Sequence, residues 1–182
     1  MAKRVLLVID VLNDFLDPKG ALYCGDEARE VIPAIKALME KFQKKGEPII
    51  YLKDAHAVDD KEFELFAPHA IKGGWGAQLI PELAPPNEAS VIDKTRFSAL
   101  YGNNLLEVLQ QVRAEEVWLT GVCTSICVMD TAGDLRNHDY RTVVPVDAVA
   151  DFDARFHQFA LERMHKIYGT RLIDSAASVE LD

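Results

Sequence analysis

The stretch VWLTGVCTSICV, residues 117–128, indicates a buried strand, a turn and a helix in direct succession. Its apolar run stops at Gly121, and a helical pattern then begins, with Cys127 in the first turn. A helix N-terminus carries unpaired N–H groups and partial positive charge, which lower the pKa of a thiol and can receive an oxyanion. The stretch therefore predicts a site for a cysteine nucleophile.

Short apolar runs like this one alternate with helical patterns along the chain. The predicted strands are Arg4–Ile9, Pro48–Lys53, Ala89–Ile92, Glu116–Thr120 and Arg141–Val146. Apolar residues at helical spacing predict helices over 31–42, stopped by Gly46, then over 105–112, 128–135 and 156–167. This alternation predicts a three-layer α/β/α, Rossmann-like fold, with a mostly parallel sheet of five to six strands and helices on both faces.

Composition favours one domain, residues 1–182, with a sizeable core. A net charge of −9 argues against nucleic acid and anionic membranes as partners. The N-terminal apolar run, Val5–Ile9, is too short for a signal peptide or a membrane span, so a cytoplasmic location is expected. The sparse cysteines, Cys24, Cys123 and Cys127, favour reduced thiols over a disulfide framework.

Polar residues follow several of the predicted strands. Asp10, Asp54 and Lys94 end or follow strands, and Cys127 follows another. Sites in open parallel sheets form at the carboxyl ends of the strands, so we expect these side chains to converge. Taken singly, Asp10 and Lys94 could form a structural ion pair and Cys127 could be a small core residue, but the combination favours catalysis.

Three segments together resemble a known family. They are Asp10 after the first strand, Lys94 followed by TRFSA (residues 95–99), and GVCTSICV (residues 121–128). They are similar to the isochorismatase-like cysteine hydrolases, and the resemblance extends from roughly residue 4 to residue 172.

The resemblance implies a catalytic triad of Asp10, Lys94 and Cys127. It also implies a cis peptide bond between Val122 and Cys123, and an oxyanion hole formed by the backbone N–H groups of Cys123 and Cys127. A Cys-x-x-x-Cys metal pair is the less favoured interpretation of the two cysteines, because their charged partners point to catalysis.

A second cluster suits a divalent metal. Asp54, His56 and His69 offer carboxylate and imidazole ligands, although solvated surface residues would give the same pattern. The set resembles the metal site of nicotinamidases within the larger family. Some of these place a fourth ligand at the position of Glu62; Glu64 is a competitor, and both could be solvated. Zinc is the first choice of ion, and iron or manganese would also suit these ligands.

Aromatic residues lie near the predicted site segments. The resemblance to nicotinamidases implies that Phe15 and Trp75 sandwich a pyridine ring. Phe97 and Tyr101 are further candidates for substrate contact, with plain core packing as the equal alternative. The sequence assigns no role to Cys24, and for Arg96 it does not decide between contact with substrate and contact with an acidic neighbour.

The first hypothesis is hydrolysis of nicotinamide to nicotinic acid and ammonia through a cysteine thioester. A second is metal-independent hydrolysis of another small amide, a ureido compound or a vinyl ether. A third is a binding module without turnover, against which the intact triad argues. The expected partner is a small-molecule amide, and the family resemblance implies a homo-oligomer.

Overall fold

The computed structural model describes residues 3–181. Within that range the chain forms a seven-stranded sheet in which every strand pair is parallel. The strands are β1 (Arg4–Ile9), β2 (Ile49–Asp54), β3 (Ser90–Lys94), β4 (Glu116–Val122), β5 (Arg141–Pro145), β6 (Val149–Ala150) and β7 (Arg171–Ile173). The order is β3-β2-β1-β4-β5-β7, and β6 pairs with the end of β4.

Helices cover both faces of this sheet. They are α1 (Asn13–Leu16), α2 (Val31–Lys45), α3 (Leu105–Gln111), α4 (Met129–Asn137) and α5 (Ala154–Arg163). A π-helical turn, Thr124–Val128, leads into α4, and a second, Met164–Tyr168, extends α5. No helix within residues 3–181 is both long enough and apolar enough to cross a membrane.

Alternation along β1 divides the core into two layers. Leu6 and Val8 join a buried cluster that includes the apolar side of α2. Val5, Leu7 and Ile9 join the opposite cluster, which includes buried residues of α3, α4 and α5. Successive residues of a strand point to opposite faces of a sheet, so a continuously apolar strand must be covered on both faces. The structure confirms the predicted three-layer α/β fold.

The sheet has more strands than the five to six predicted from the sequence. The additional strands, β6 and β7, contain only two and three residues. Segments this short show no hydrophobic periodicity, and they become strands because β4 and β5 offer them free edges.

The site lies where the strand order reverses. From β1 the chain first builds outward through β2 and β3, and then crosses to place β4 on the other side of β1. The paired ends Ile9 and Gly121 therefore flank a topological switch point, where open α/β sheets bind ligands.

The backbone at this point leaves no room for a side chain on Gly121. Its φ angle is 110°, and a Cβ there would lie 1.9 Å from the carbonyl oxygen of Ile9. One residue further on, the Val122–Cys123 peptide bond is cis, as the family resemblance implied. Glycine thus lets β4 end directly against β1, next to Asp10.

Candidate active site

The structure brings together the three predicted catalytic residues. Asp10 follows β1, Lys94 ends β3, and Cys127 lies in the turn after β4; all three are buried. The Lys94 Nζ lies 2.8 Å from Asp10 Oδ2 and 3.4 Å from Cys127 Sγ. A thiol, an ammonium and a carboxylate thus share one contact group at the switch point.

Asp54 joins this group from the end of β2. Its Oδ1 lies 2.7 Å from Lys94 Nζ, and its backbone N–H donates a hydrogen bond of 2.9 Å to Asp10 Oδ1. Lys94 therefore balances two buried carboxylates. Its ammonium also donates to the carbonyl oxygen of Arg96 at 3.2 Å.

Burial dominates the protonation of these groups. It raises the pKa of Asp10 to about 7, helped by the charge of Asp54 and opposed by Lys94. Burial also raises the pKa of the Cys127 thiol, and the opposing charge of Lys94 does not overcome it. For Lys94 burial acts in the other direction, but Asp10, Cys127 and Asp54 together hold its pKa well above the usual value.

These shifts correct one expectation from the sequence. The start of a helix was expected to lower the thiol pKa, but the desolvation of Cys127 in the core outweighs that effect. The resting side chain of Cys127 is consequently a neutral thiol beside a charged ammonium. A thiol that attacks a carbonyl carbon needs a proton acceptor, and the Asp10 carboxyl, an oxygen of which lies within 4.8 Å of Cys127 Sγ, is a candidate for that role.

A second cluster of donor atoms lies beside the triad. Ligand atoms of Asp54, His56 and His69 all lie within 4.8 Å of one another, and the three side chains are buried. Glu62 Oε1 lies 3.7 Å from His69 Nε2 and 3.9 Å from His56 Nε2. Glu64, the competing candidate, is exposed.

Hydrogen bonds orient the two imidazoles toward this centre. His69 Nδ1 is 2.8 Å from the carbonyl oxygen of Ala67, and His56 Nδ1 is 3.1 Å from Asp60 Oδ2. Each contact leaves Nε2 facing the cluster, which is how ligating histidines are usually held. His56 Nε2 is buried and has no hydrogen-bond partner among residues 3–181, because Asp54 Oδ1 lies 3.6 Å away.

The charges of the cluster also suit a cation. Burial lowers the pKa of His56, but the neighbouring carboxylates, Asp54 foremost, raise it to about 9. Burial and the charge of Asp54 raise the pKa of Glu62. A divalent ion among these donors would neutralise the carboxylates and engage the unpartnered imidazole nitrogen, so the residues present fit a metal.

Asp60 is a residue of this site that the sequence did not reveal. Besides contacting His56, its carboxylate accepts two hydrogen bonds of 3.1 Å from Arg96. Its side chain also accepts a hydrogen bond from the backbone N–H of Glu62. That hydrogen bond is the largest of the causes that lower the pKa of Asp60 to about 2. Its position four residues after His56 was the available signal, but the acidic run around it resembles a solvated loop.

One cavity of about 320 Å³ adjoins Cys127 and the cluster of Asp54, His56 and His69. Phe15 and Phe97 line it, as do unpredicted residues from four segments: Leu22, Tyr23, Cys24, Phe66, Ile126 and Phe152. Phe152 follows β6. Because the sequence did not reveal that strand, it also gave no reason to expect Phe152 in the cavity.

Two of the predicted aromatic residues lie outside this lining. Trp75 and Tyr101 are 46% and 61% exposed, and neither lines the cavity. The Trp75 segment is held against α1, because Asn13 Nδ2 donates to the Trp75 carbonyl oxygen at 2.9 Å and Gly76 lies against the Asp14 carboxylate. The expected Phe15–Trp75 sandwich is therefore not formed, and Phe15 packs against His69 at a centroid distance of 5.5 Å.

Comparison with known proteins extends these observations. The isochorismatase domain family matches residues 4–177. A curated relative, the uncharacterized isochorismatase family protein PncA of Bacillus subtilis (strain 168), is 36% identical over 182 residues, which cover 94% of this chain and 100% of the relative. The crystal structure of nicotinamidase PncA from Bacillus subtilis is similar with a TM-score of 0.90 and 34% identity, covering 94% of this chain and 99% of that chain.

Two other solved structures are nearly as similar in fold. Pyrazinamidase of Pyrococcus horikoshii, solved in complex with zinc, gives a TM-score of 0.88 at 28% identity and covers 94% of this chain and 98% of its own. N-carbamoylsarcosine amidase from Thermoplasma acidophilum gives 0.89 at 30% identity and covers 98% and 99%. Similar proteins thus include amidases described by different substrates.

Proposed function

This chain belongs to the isochorismatase family of hydrolases, and we propose that within it the protein is a metal-assisted nicotinamidase. It would hydrolyse nicotinamide to nicotinic acid and ammonia. The observation that carries the proposal is the imidazole–carboxylate cluster of Asp54, His56 and His69, which adjoins the same cavity as the Cys127 thiol. The similarity to structures of a nicotinamidase and of a zinc-containing pyrazinamidase supports it.

The reaction would begin with attack of Cys127 Sγ on the carboxamide carbon. Asp10 takes the thiol proton, since one of its oxygens lies within 4.8 Å of Sγ and its pKa is raised to about 7, near the value best suited to a general base. The Lys94 ammonium, 3.4 Å from Sγ, stabilises the negative charge on sulfur as the proton leaves.

The tetrahedral intermediate carries a negative oxygen. The proposed donors to this oxygen are the backbone N–H groups of Cys123 and Cys127. Cys123 caps the start of the turn after β4, and Cys127 lies within that turn. Asp10 then returns its proton to the departing ammonia. A water that gives a proton to Asp10 hydrolyses the thioester and frees the Cys127 thiol.

The metal cluster would bind and orient the ring. Asp54, His56, His69 and Glu62 would hold a divalent ion, zinc in the first place, which when bound supplies a Lewis-acidic partner for the pyridine nitrogen. Phe15 and Phe97 offer apolar surface in the cavity, whose volume of about 320 Å³ suits a small aromatic amide.

The proposal is tested by ammonia release from nicotinamide, measured on the metal-loaded protein with and without a chelator. We expect turnover that chelation abolishes and that added zinc, manganese or iron restores. Turnover of a carbamoyl or ureido compound that survives complete chelation would instead support the second function, which the similarity to N-carbamoylsarcosine amidase favours. If a thiol reagent detects the Cys127 thiol but the protein turns over none of these substrates, the result would indicate a binding module.

The metal ligands can be tested apart from catalysis. We expect His69→Ala to weaken zinc binding by at least about a hundredfold, because it removes a buried nitrogen ligand; loss of supporting hydrogen bonds alone costs about 10–100-fold. The measurement is equilibrium dialysis with elemental analysis. His138→Ala is the matched control, because His138 is exposed at the end of α4 and should leave zinc binding unchanged. Equal zinc affinity in the two variants would remove His69 from the site.

A further inference from the structure

The wall of the cavity contains a pair of thiols that hydrolysis does not use. The Sγ atoms of Cys24 and Cys123 lie 3.5 Å apart, although 99 residues separate them in the chain. Both cysteines are free, both line the cavity, and they are 8% and 9% exposed. In the hydrolysis proposed above, Cys123 acts through its backbone N–H alone and Cys24 has no part.

The backbone holds both thiols in place. The Cys24 N–H donates to the carbonyl oxygen of Phe15 at 2.9 Å, and its Sγ lies 3.6 Å from the carbonyl oxygen of Leu22. Cys123 follows the last residue of β4, and its carbonyl oxygen accepts hydrogen bonds of 3.2 Å from Ile126 and Val128. The two segments are thus fixed next to each other at the cavity, and both belong to the same buried cluster.

We propose that Cys24 and Cys123 form a redox site, closing to a disulfide when a peroxide enters the cavity and reopening when a thiol reductant is present. One thiolate attacks the peroxide O–O bond and becomes a sulfenic acid, with release of water. The second thiol then displaces the sulfenic oxygen as a second water, so that two thiols and one hydrogen peroxide give one disulfide and two waters. The sulfur atoms need to approach by about 1.5 Å to reach disulfide bonding distance.

Cys127 is expected to stay outside this pair. Its Sγ accepts a hydrogen bond from Lys94 Nζ at 3.4 Å and lies within 4.8 Å of oxygens of Asp10 and Asp54, so its described neighbours are charged groups. Cys24 and Cys123 are each other's described sulfur partners. The disulfide would therefore tie the loop at residue 24 to the end of β4, while leaving the nucleophile as a thiol.

The test uses Cys127→Ala, which leaves Cys24 and Cys123 as the two cysteines of the chain. After treatment with hydrogen peroxide, we expect loss of both titratable thiols and a fall in intact mass of two hydrogen atoms. Peptide mapping should find Cys24 linked to Cys123 within one chain, and dithiothreitol should restore both thiols. This readout needs no turnover, so it is independent of the proposed nicotinamidase activity.

The matched control is the double variant Cys24→Ser, Cys127→Ala, with circular dichroism to verify its fold. Its remaining thiol, Cys123, should gain oxygen or stay reduced, without loss of two hydrogens.

In the unsubstituted protein, alkylation after oxidation should label Cys127 alone. A Cys123–Cys127 link there would overturn the proposal. So would oxygen addition without a crosslink in Cys127→Ala, or thiols in that variant that resist peroxide at a concentration that oxidises free cysteine.

Discussion

Replacement of Cys127 by alanine is expected to lower ammonia release from nicotinamide by at least about a thousandfold. The substitution removes the atom that would form the thioester, and removing a covalent nucleophile leaves only the catalysis that binding and oxyanion stabilisation can supply. Neither Asp10 nor Lys94 can replace it, because an ammonium has no lone pair and the carboxylate is held against that ammonium at 2.8 Å. The measurement is steady-state ammonia release at saturating nicotinamide.

The same variant should retain its fold and its metal. Cys127 is not among the donor atoms that surround His56 and His69, so zinc binding by dialysis should match that of the unsubstituted protein. The loss of one buried sulfur next to α4 should reduce the free energy of unfolding by no more than about 1–2 kcal/mol. Undiminished ammonia release from a folded, zinc-loaded Cys127→Ala protein would show that the nucleophile lies elsewhere.

Much of this arrangement could be predicted from the sequence, because it depends on where strands end. Continuous apolar runs identified β1, β2 and β4, and parallel strands bring their carboxyl ends to a common edge. Asp10 follows β1 directly and Cys127 lies in the turn after β4, so their meeting followed from topology. The position of His69 was harder to predict, since it lies in a long loop. It became a candidate metal ligand because Asp54 and His56 offer matching ligand types and because the set resembles the metal site of nicotinamidases.

The remainder depends on contacts that leave no local pattern. Asp60 supports His56 through a loop conformation that Arg96 and the N–H of Glu62 stabilise, and an acidic run predicts none of this. Trp75 was expected in the cavity, but the close approach of Gly76 to Asp14 fixes its segment elsewhere. The Cys24–Cys123 contact joins residues 99 positions apart through tertiary packing alone.

Replacement of Lys94 by methionine is expected to damage stability and activity together. Lys94 is the cation within 2.8 Å of both Asp10 and Asp54, and all three side chains are buried. Removing one partner from a buried charge cluster leaves uncompensated charge, which costs about 3–5 kcal/mol. Methionine fills similar volume, so the loss should reflect the missing ammonium rather than a cavity. We expect denaturant unfolding of the metal-free protein to show this decrease.

Activity should fall by at least about a hundredfold in Lys94→Met, even under conditions where the protein is fully folded. The reason is that the ammonium lies 3.4 Å from Cys127 Sγ and would stabilise the thiolate formed during attack. Lys72→Met is the matched control: Lys72 pairs with Asp93 at 3.1 Å, but its side chain is 70% exposed. Surface pairs of this kind contribute about 0–1 kcal/mol, so that variant should unfold and turn over nearly as before. If Lys94→Met lost no more stability and activity than Lys72→Met, Lys94 would be neither the counter-ion of the two carboxylates nor a partner of the thiolate.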